Sequence, residues 1–424
     1  MKKDMNINVH HITRVEGHGD IKIEVKDGEI KKANWEVVET PRFFEALIID
    51  KSYDVVHNIT SRICGICSIG HTLASIRATE RAMGIKETEQ TKALRLLLKH
   101  GETLQSHVLH LYFLVAPDFL GLNSVVPLIE SNPELVGIAA TLKLLANDMC
   151  DIIGGRTTHP TTPVVGGFTR IPTVKELKAI KQRILDAVPL IEKTAEVIKT
   201  FDVPDFTRET EFVSLKGVDE YPWIGGDLVS SDGVLKKEND YRAMTNEFKV
   251  EQSTSKWAKL SRDSLFVGAL ARFNNNYDLL LPQAKAVAEM FGLKPVCHNP
   301  YMNNIAQLVE VVHCAYDTVA KIDELLEKGL KDEAVEFKVK AGQGASAVEV
   351  PRGILYHEYK YDKKGKVVKG NCIIPTGQNH ANIQLDMEAL AKHFYELGKD
   401  DKEIELLAEM LVRAYDPCIS CSVH

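Results

Sequence analysis

The amino-acid pattern predicts a mainly α fold with small β regions (α+β), organised around a central bundle of long helices. Apolar residues recur at helical spacing over four long stretches in the first half of the chain. Strict alternation is confined to two short regions, and no internal repeat or low-complexity linker interrupts the 424 residues. A single domain spanning 1–424 is therefore expected.

The first element is a β-hairpin over residues 20–39. Ile21, Ile23 and Val25 alternate with polar residues, Asp27-Gly28 supplies a turn, and Ile30 to Val38 returns the strand. A helical core over 68–202 follows, with helices expected at 71–84, 88–115, 134–153 and 174–201; Leu94, Leu97, Leu98 and Leu104 mark the buried stripe of the second. Residues 203–262 are more polar and broken by Pro204, Pro222, Gly225 and Gly226, which predicts an irregular insertion with a few short strands. The last part, 263–424, resumes with helices near 281–292 and 300–330. It then makes a small β region around 335–375 that turns at Asp362 to Gly365, and closes with helices near 385–397 and 401–414.

The chain is 44% apolar and 26% charged, within the globular range, with a formal net charge of −7. No long basic run points to nucleic acid or to an anionic membrane. The N-terminal MKKDMNINVHHITRVEGHGD lacks the apolar core of a secretory signal, and apolar stretches such as Leu109 to Ala116 are too short to span a bilayer. A cytoplasmic location with no membrane span is the expectation.

Eight cysteines in a chain this long do not form a disulfide framework of the small secreted type. Four of them make two close pairs. Arg62-Ile-Cys64-Gly-Ile-Cys67 lies near the N-terminus with His71 four residues on, and Asp416-Pro-Cys418-Ile-Ser-Cys421-Ser-Val-His424 lies at the other end. Two residues between cysteines let both sulfurs face one ion, and four thiolates make a soft site that nickel, zinc or iron can accept. Structural zinc sites usually draw their pairs from one small module, about 15–20 residues apart. A thioredoxin-like redox pair needs a βαβ context that neither pair has. Closing a site from both chain ends carries a large loop entropy, which favours a metal at the centre of the fold. The other cysteines, Cys150, Cys297, Cys314 and Cys372, have no ligand spacing, and their side chains read as structural thiols.

Five segments in this order resemble the large, catalytic subunit of nickel-iron hydrogenases: Arg14-Val-Glu16-Gly-His18, Arg42-Phe-Phe-Glu45, Arg62 to Cys67 with His71, Pro351-Arg352-Gly353, and Asp416 to His424. The resemblance covers nearly the whole chain. It implies a NiFe(CN)2CO centre held by four thiolates, with Cys64 and Cys418 terminal on nickel and Cys67 and Cys421 bridging to the iron. A chain ending at His424 resembles the form left after a maturation protease has removed a short tail.

The same resemblance implies the catalytic roles. The thiolate of Cys418 takes the proton from heterolytic cleavage of dihydrogen and Glu16 relays it outward. Arg352, following Pro351, sits over the open metal position, where its planar donors hold cyanide or polarise dihydrogen. Thr376, in a segment resembling the strand around the diatomic ligands, donates to cyanide, while Leu355, Ile374 and Pro375 form the apolar pocket for carbon monoxide. His71 donates to a bridging sulfur. Glu45, His424 and the backbone carbonyl of Cys372 map onto a second site for magnesium or iron(II), where oxygen donors suit a hard cation.

One departure stands out. Gln105-Ser106-His107 has a serine where many membrane-associated and periplasmic uptake enzymes carry an aspartate, and this resembles the cytoplasmic bidirectional branch, group 3. No iron-sulfur cluster is expected in this chain, so electrons are expected to leave through an iron-sulfur small subunit. From there they would reach a flavin-containing, diaphorase-type partner and a soluble acceptor such as NAD(P). Two other readings compete. One is a metal-free subunit like those of respiratory complexes, against which the four cysteines speak; the other is a zinc-stabilised scaffold.

Overall fold

The structure is a computed structural model that describes residues 4–333 and 335–424. Its N-terminal sheet has three antiparallel strands, β1 (Met5–Val9), β2 (Gly19–Lys26) and β3 (Glu29–Val37), in that order. The expected hairpin is its second half. Asp27 and Gly28 both take positive φ (55° and 78°), the geometry that lets a two-residue turn follow the strand twist. β1 was not anticipated, because five residues with buried Met5 and Ile7 and exposed Asn6 and Asn8 are too short a period to stand out.

The helical core follows as α1 (Ser68–Met83), α2 (Glu89–Leu109), α3 (Pro133–Gly154), α4 (Val174–Ile198) and, after the insertion, α5 (Asn303–Lys328). The sequence ends each helix in recognisable ways. Thr88 and Asn132 accept backbone N–H groups at the starts of α2 and α3, Thr173 and Glu176 make a capping box on α4, and Gly155 (φ 78°) turns the chain out of α3. α2 packs against α3 and α5, and α4 against α3 and α5, which makes the expected bundle. α2 was expected to run unbroken to 115. It instead widens into π-type turns over His110–Val115, a form concentrated at functional sites.

Residues 203–262 form short strands, Val213–Lys216 with Asp227–Ser230 and Leu235–Lys236, and Asn246–Phe248 with Trp257–Lys259. The second sheet comprises β4 (Gly342–Val350), β5 (Gly353–Tyr361) and β6 (Val367–Ile373), with the predicted turn closed by Gly365 N–H donating to the Asp362 carbonyl. α1 lies on β4 and β5. Their closeness depends on Gly70, where a Cβ would stand 2.1 Å from a methyl of Val350.

The chain closes with α6 (Pro375–Glu396), α7 (Asp401–Ala414) and a final turn at Ile419–Ser422. α6 starts ten residues before the expected 385. Its early turns bury Thr376, Gln378, Asn379, His380 and Asn382, so no apolar stripe betrays them. Hydrogen bonds specify them instead: Asn379 exchanges two with the Val267 backbone (2.8 and 2.9 Å), and Gln378 donates to the Ile354 carbonyl (2.7 Å). Thr376, expected on a strand, therefore lies in the first turn of a helix. Among the described residues no helix is long and apolar enough to cross a membrane.

Candidate metal centre

Both cysteine pairs sit where regular structure stops. Cys64 is extended after the single turn Ser61–Ile63, and Cys67 precedes α1. At the other end Asp416 takes a left-handed backbone (φ 49°) just past α7, and the chain then pairs with the Glu16 loop through a parallel bridge between Glu16 and Cys418. Arg42 ties the two segments together, donating to the carbonyls of Ile63 (2.7 Å) and Ser420 (2.6 Å).

The fold brings the two ends of the chain to one place. The sulfurs of Cys64, Cys418 and Cys421 lie within 4.8 Å of one another, and Cys64 Sγ is 3.6 Å from Cys418 Sγ. Thiolates about 2.3 Å from a tetrahedral ion stand ~3.8 Å apart, so this spacing suits one metal. The Cys67 sulfur falls outside this group of three; its backbone N–H donates to Cys64 Sγ (3.1 Å) and its thiol hydrogen bonds with the Cys64 thiol. Cys418 and Cys421 are joined as a disulfide here, and both have to be reduced to serve as ligands. Leu355, Ile374, Ile63, Val348 and Val350 pack around the sulfurs, and Pro375 and Pro351, next in the chain to Ile374 and Val350, are buried. Four soft donors in an apolar, dry wall are what a thiolate-bound nickel-iron pair requires.

Two groups set the electrostatics. The Arg352 guanidinium, 4% exposed, donates to the Asp416 carbonyl (2.5 Å), to Asp416 Oδ1 (2.8 Å) and to Cys67 Sγ (3.4 Å). Burial works against its charge, and Asp416 with the two thiols outweighs it. The hydrogen bond from Cys67, aided by Arg352 against burial, holds the Cys64 thiol below its ordinary pKa, and the same pairing pushes Cys67 well above. On the opposite side Glu16 Oε2 lies 3.1 Å from Cys418 Sγ, and Ser420 holds the carboxylate through its N–H (3.1 Å) and its hydroxyl.

The remaining expected residues fall around this centre. Thr376 Oγ1 accepts the Cys418 N–H (3.0 Å), which leaves its hydroxyl proton to donate. His71 is buried and kept neutral by desolvation; its Nδ1 is 3.1 Å from His357 Nε2, so only Nε2 is left to face a sulfur. Glu45 accepts the Cys372 N–H (2.8 Å), and His424 Nε2 meets the Cys372 carbonyl (2.6 Å) and lies 3.9 Å from Glu45. Glu45, His424 and the Cys372 backbone thus lie together beside the C-terminal segment. Cys150, Cys314, Cys372 and Cys297 have thiols pushed up by burial, as structural thiols should.

Sequence reasoning missed Asp416, Ser420 and Arg42 as parts of the site, although each lies inside a quoted motif. It also missed a buried ionic cluster. Arg272 grips Glu310 (2.6 and 2.7 Å) and Glu349 (2.9 Å) and donates to the carbonyls of Val350 and Pro351, holding the turn that presents Arg352. His107 and Tyr221 complete Glu310 (2.8 Å each). Ser106 is buried with no partner for its hydroxyl, and the neighbouring His107 pairs with Glu310 from α5.

Residues 42–136 and 237–424 match the family model of nickel-dependent hydrogenases, and residues 6–40 match a HoxL-like model. The chain belongs to the nickel-dependent hydrogenase family. It is 36% identical to sulfhydrogenase 1 subunit alpha of Pyrococcus furiosus over 99% of this chain and 97% of that one. It is 34% identical to sulfhydrogenase 2 subunit alpha of the same organism over 99% of each. An NAD+-reducing NiFe hydrogenase solved in its H2-reduced state superposes with a TM-score of 0.88 at 26% identity, covering 99% of both chains. The hydrogenase chain is thus the catalytic large subunit of a nickel-iron enzyme, an oxidoreductase acting on dihydrogen, with the mainly helical fold of that family.

Proposed function

We propose that Cys64, Cys67, Cys418 and Cys421 would hold the nickel-iron pair as thiolates. When bound, the centre supplies a Lewis acid that polarises dihydrogen and a store for the electron pair. The observation that carries this reading is the meeting of sulfurs from both chain ends beside a carboxylate.

The protein's own part is the handling of the proton. The Cys418 thiolate is the first base, and Glu16 Oε2, 3.1 Å away, accepts from it. Ser420 keeps the carboxylate aimed at the sulfur, and Glu16 is partly exposed, so the proton has a way out. Arg352 acts as a fixed cation that balances thiolate charge, since a guanidinium does not give up its proton. Thr376 would donate to a cyanide of that centre, Leu355, Ile374, Pro375 and Pro351 would keep water from its carbon monoxide, and His71 would steady a cysteine sulfur. Glu45, His424 and the Cys372 carbonyl take magnesium or iron(II).

Electrons leave for an iron-sulfur small subunit. Exposed Phe43 (65%), Leu47 (52%) and Val55 (40%), on the segment that Arg42 fastens to the sulfurs, supply an apolar surface for it. A flavin-bearing partner and a soluble acceptor such as NAD(P) follow, in the cytoplasm; the likeness to a hydrogenase that reduces NAD+ supports that acceptor. Metal analysis with infrared spectroscopy of the purified complex tests the reading. Nickel and iron near one each with carbon monoxide and cyanide bands are expected; zinc alone, or no metal, overturns it.

A further inference from the structure

The loop between β1 and β2, which carries Glu16, has a second group of ligand-type side chains at its ends. His10 and His11 follow directly on β1, and on a continued strand their rings would point to opposite faces. His11 instead adopts a left-handed backbone (φ 58°), uncommon for any residue with a Cβ. Both imidazoles therefore come to one side, with ring centroids 3.8 Å apart.

Asp20, in β2, closes the group from the other end of the loop. It is 5% exposed, and its Oδ1 accepts the His11 N–H at 2.9 Å, which holds the carboxylate in place. Oδ2 lies 3.0 Å from His10 Nδ1, and Oδ1 lies 3.8 Å from His11 Nδ1. One ligand atom from each of the three residues falls within a 4.8 Å group. Nitrogen and oxygen donors about 2.1 Å from a tetrahedral divalent ion stand ~3.4 Å apart, so the observed spacings bracket that value. The carboxylate is buried and preorganised while both imidazoles face solvent, so an ion has an entry path and a fourth position open to water. The His18 ring lies edge-on to His11 at 4.9 Å, with its Nδ1 2.6 Å from Glu39.

We propose that His10, His11 and Asp20 form a surface site for a divalent transition metal of the zinc class, separate from the catalytic sulfurs, and that its occupation brakes turnover. The ion clasps the two ends of the loop that carries Glu16 and adds a dication to that loop, which opposes both carboxylate motion and proton departure. The brake rests on Glu16 being the relay; the binding site does not.

The test is equilibrium dialysis of the intact hydrogenase complex against micromolar zinc chloride, with metal content by mass spectrometry and hydrogen-dependent dye reduction in parallel. One zinc per large subunit beyond the catalytic metals is expected. Its affinity should fall at least tenfold in His10→Gln and vanish in the His10→Gln, His11→Gln double variant, with nickel content and melting temperature unchanged. Zinc should slow the wild-type enzyme several-fold and leave the double variant untouched. Undiminished zinc binding in the double variant overturns the site. Zinc bound there with turnover unaffected overturns the brake. In preparations lacking nickel the double variant should still bind one zinc fewer than the wild-type sequence, whatever the emptied thiols take up, which separates failure of this site from failure of the hydrogenase reading.

Discussion

Arg272 and Arg352 are both buried, both beside the same turn, and do different work. Arg272 spends its donors on Glu310, Glu349 and two carbonyls of β4 and its turn. Arg352 has Asp416 on one edge, and its other edge faces the sulfur of Cys67, a weak acceptor. A buried cation saturated by oxygen is a clamp; one left facing sulfur is part of a site. The contrast separates what keeps the fold from what serves the metal.

Removing a sulfur should have the largest effect on the site side. Cys418→Ser is expected to lose nickel and all hydrogen-dependent dye reduction while melting as the wild type does; nickel retained with full turnover would remove the basis of the comparison. Glu16→Gln takes away the proton acceptor without touching the metal ligands. Turnover should fall about 10²- to 10⁴-fold, the usual scale of general acid-base catalysis, with nickel content unchanged.

On the clamp side, Arg272→Met leaves Glu310 and Glu349 buried without their cation, a loss of about 3–5 kcal/mol of stability. Chemical denaturation reads it, and a variant that melts normally but loses turnover would show that Arg272 belongs to the site after all. Arg352→Lys should do the reverse, keeping fold and nickel while lowering turnover about 10²-fold, since a point charge cannot hold Asp416 and face the sulfur at once.

The smallest effect is on pH. His100 and His380 are buried with pKa values pushed down to about 3 by desolvation, against 6.5 when exposed. The unfolded chain therefore takes up their protons first. Their contribution is complete above pH 6.5 and is lost as pH falls toward 3, on the order of 1–2 kcal/mol each by pH 5. Burial raises the Glu310 carboxyl, but Arg272 and His107 outweigh it and hold the pKa at about 2, so this group adds its own loss only below pH 4.5. Urea midpoints at pH 7 and pH 5 should differ by the histidine contribution.

Much of the architecture was legible because amphipathic helices declare themselves locally. α2 to α5 follow the apolar stripe and their caps, and the Asp27-Gly28 and Asp362 to Gly365 turns need only short-range backbone geometry. The start of α6 was not legible, since its buried face is made of amides and hydroxyls that bond to distant strands. The cysteine spacing announced a metal. Asp416 and Glu310 gave no such signal, because a carboxylate acquires a role only from the cation set against it.

By itself the order of residues determined the helices, the hairpins and the chemistry of the four thiols, all of which depend on neighbours a few positions apart. Only the tertiary structure decided that Glu16 meets Cys418, that Arg352 faces Cys67 and that Arg272 is a clamp. Those pairings join residues tens to hundreds of positions apart, and a side chain's charge and exposure are set by whatever the folded chain places around it.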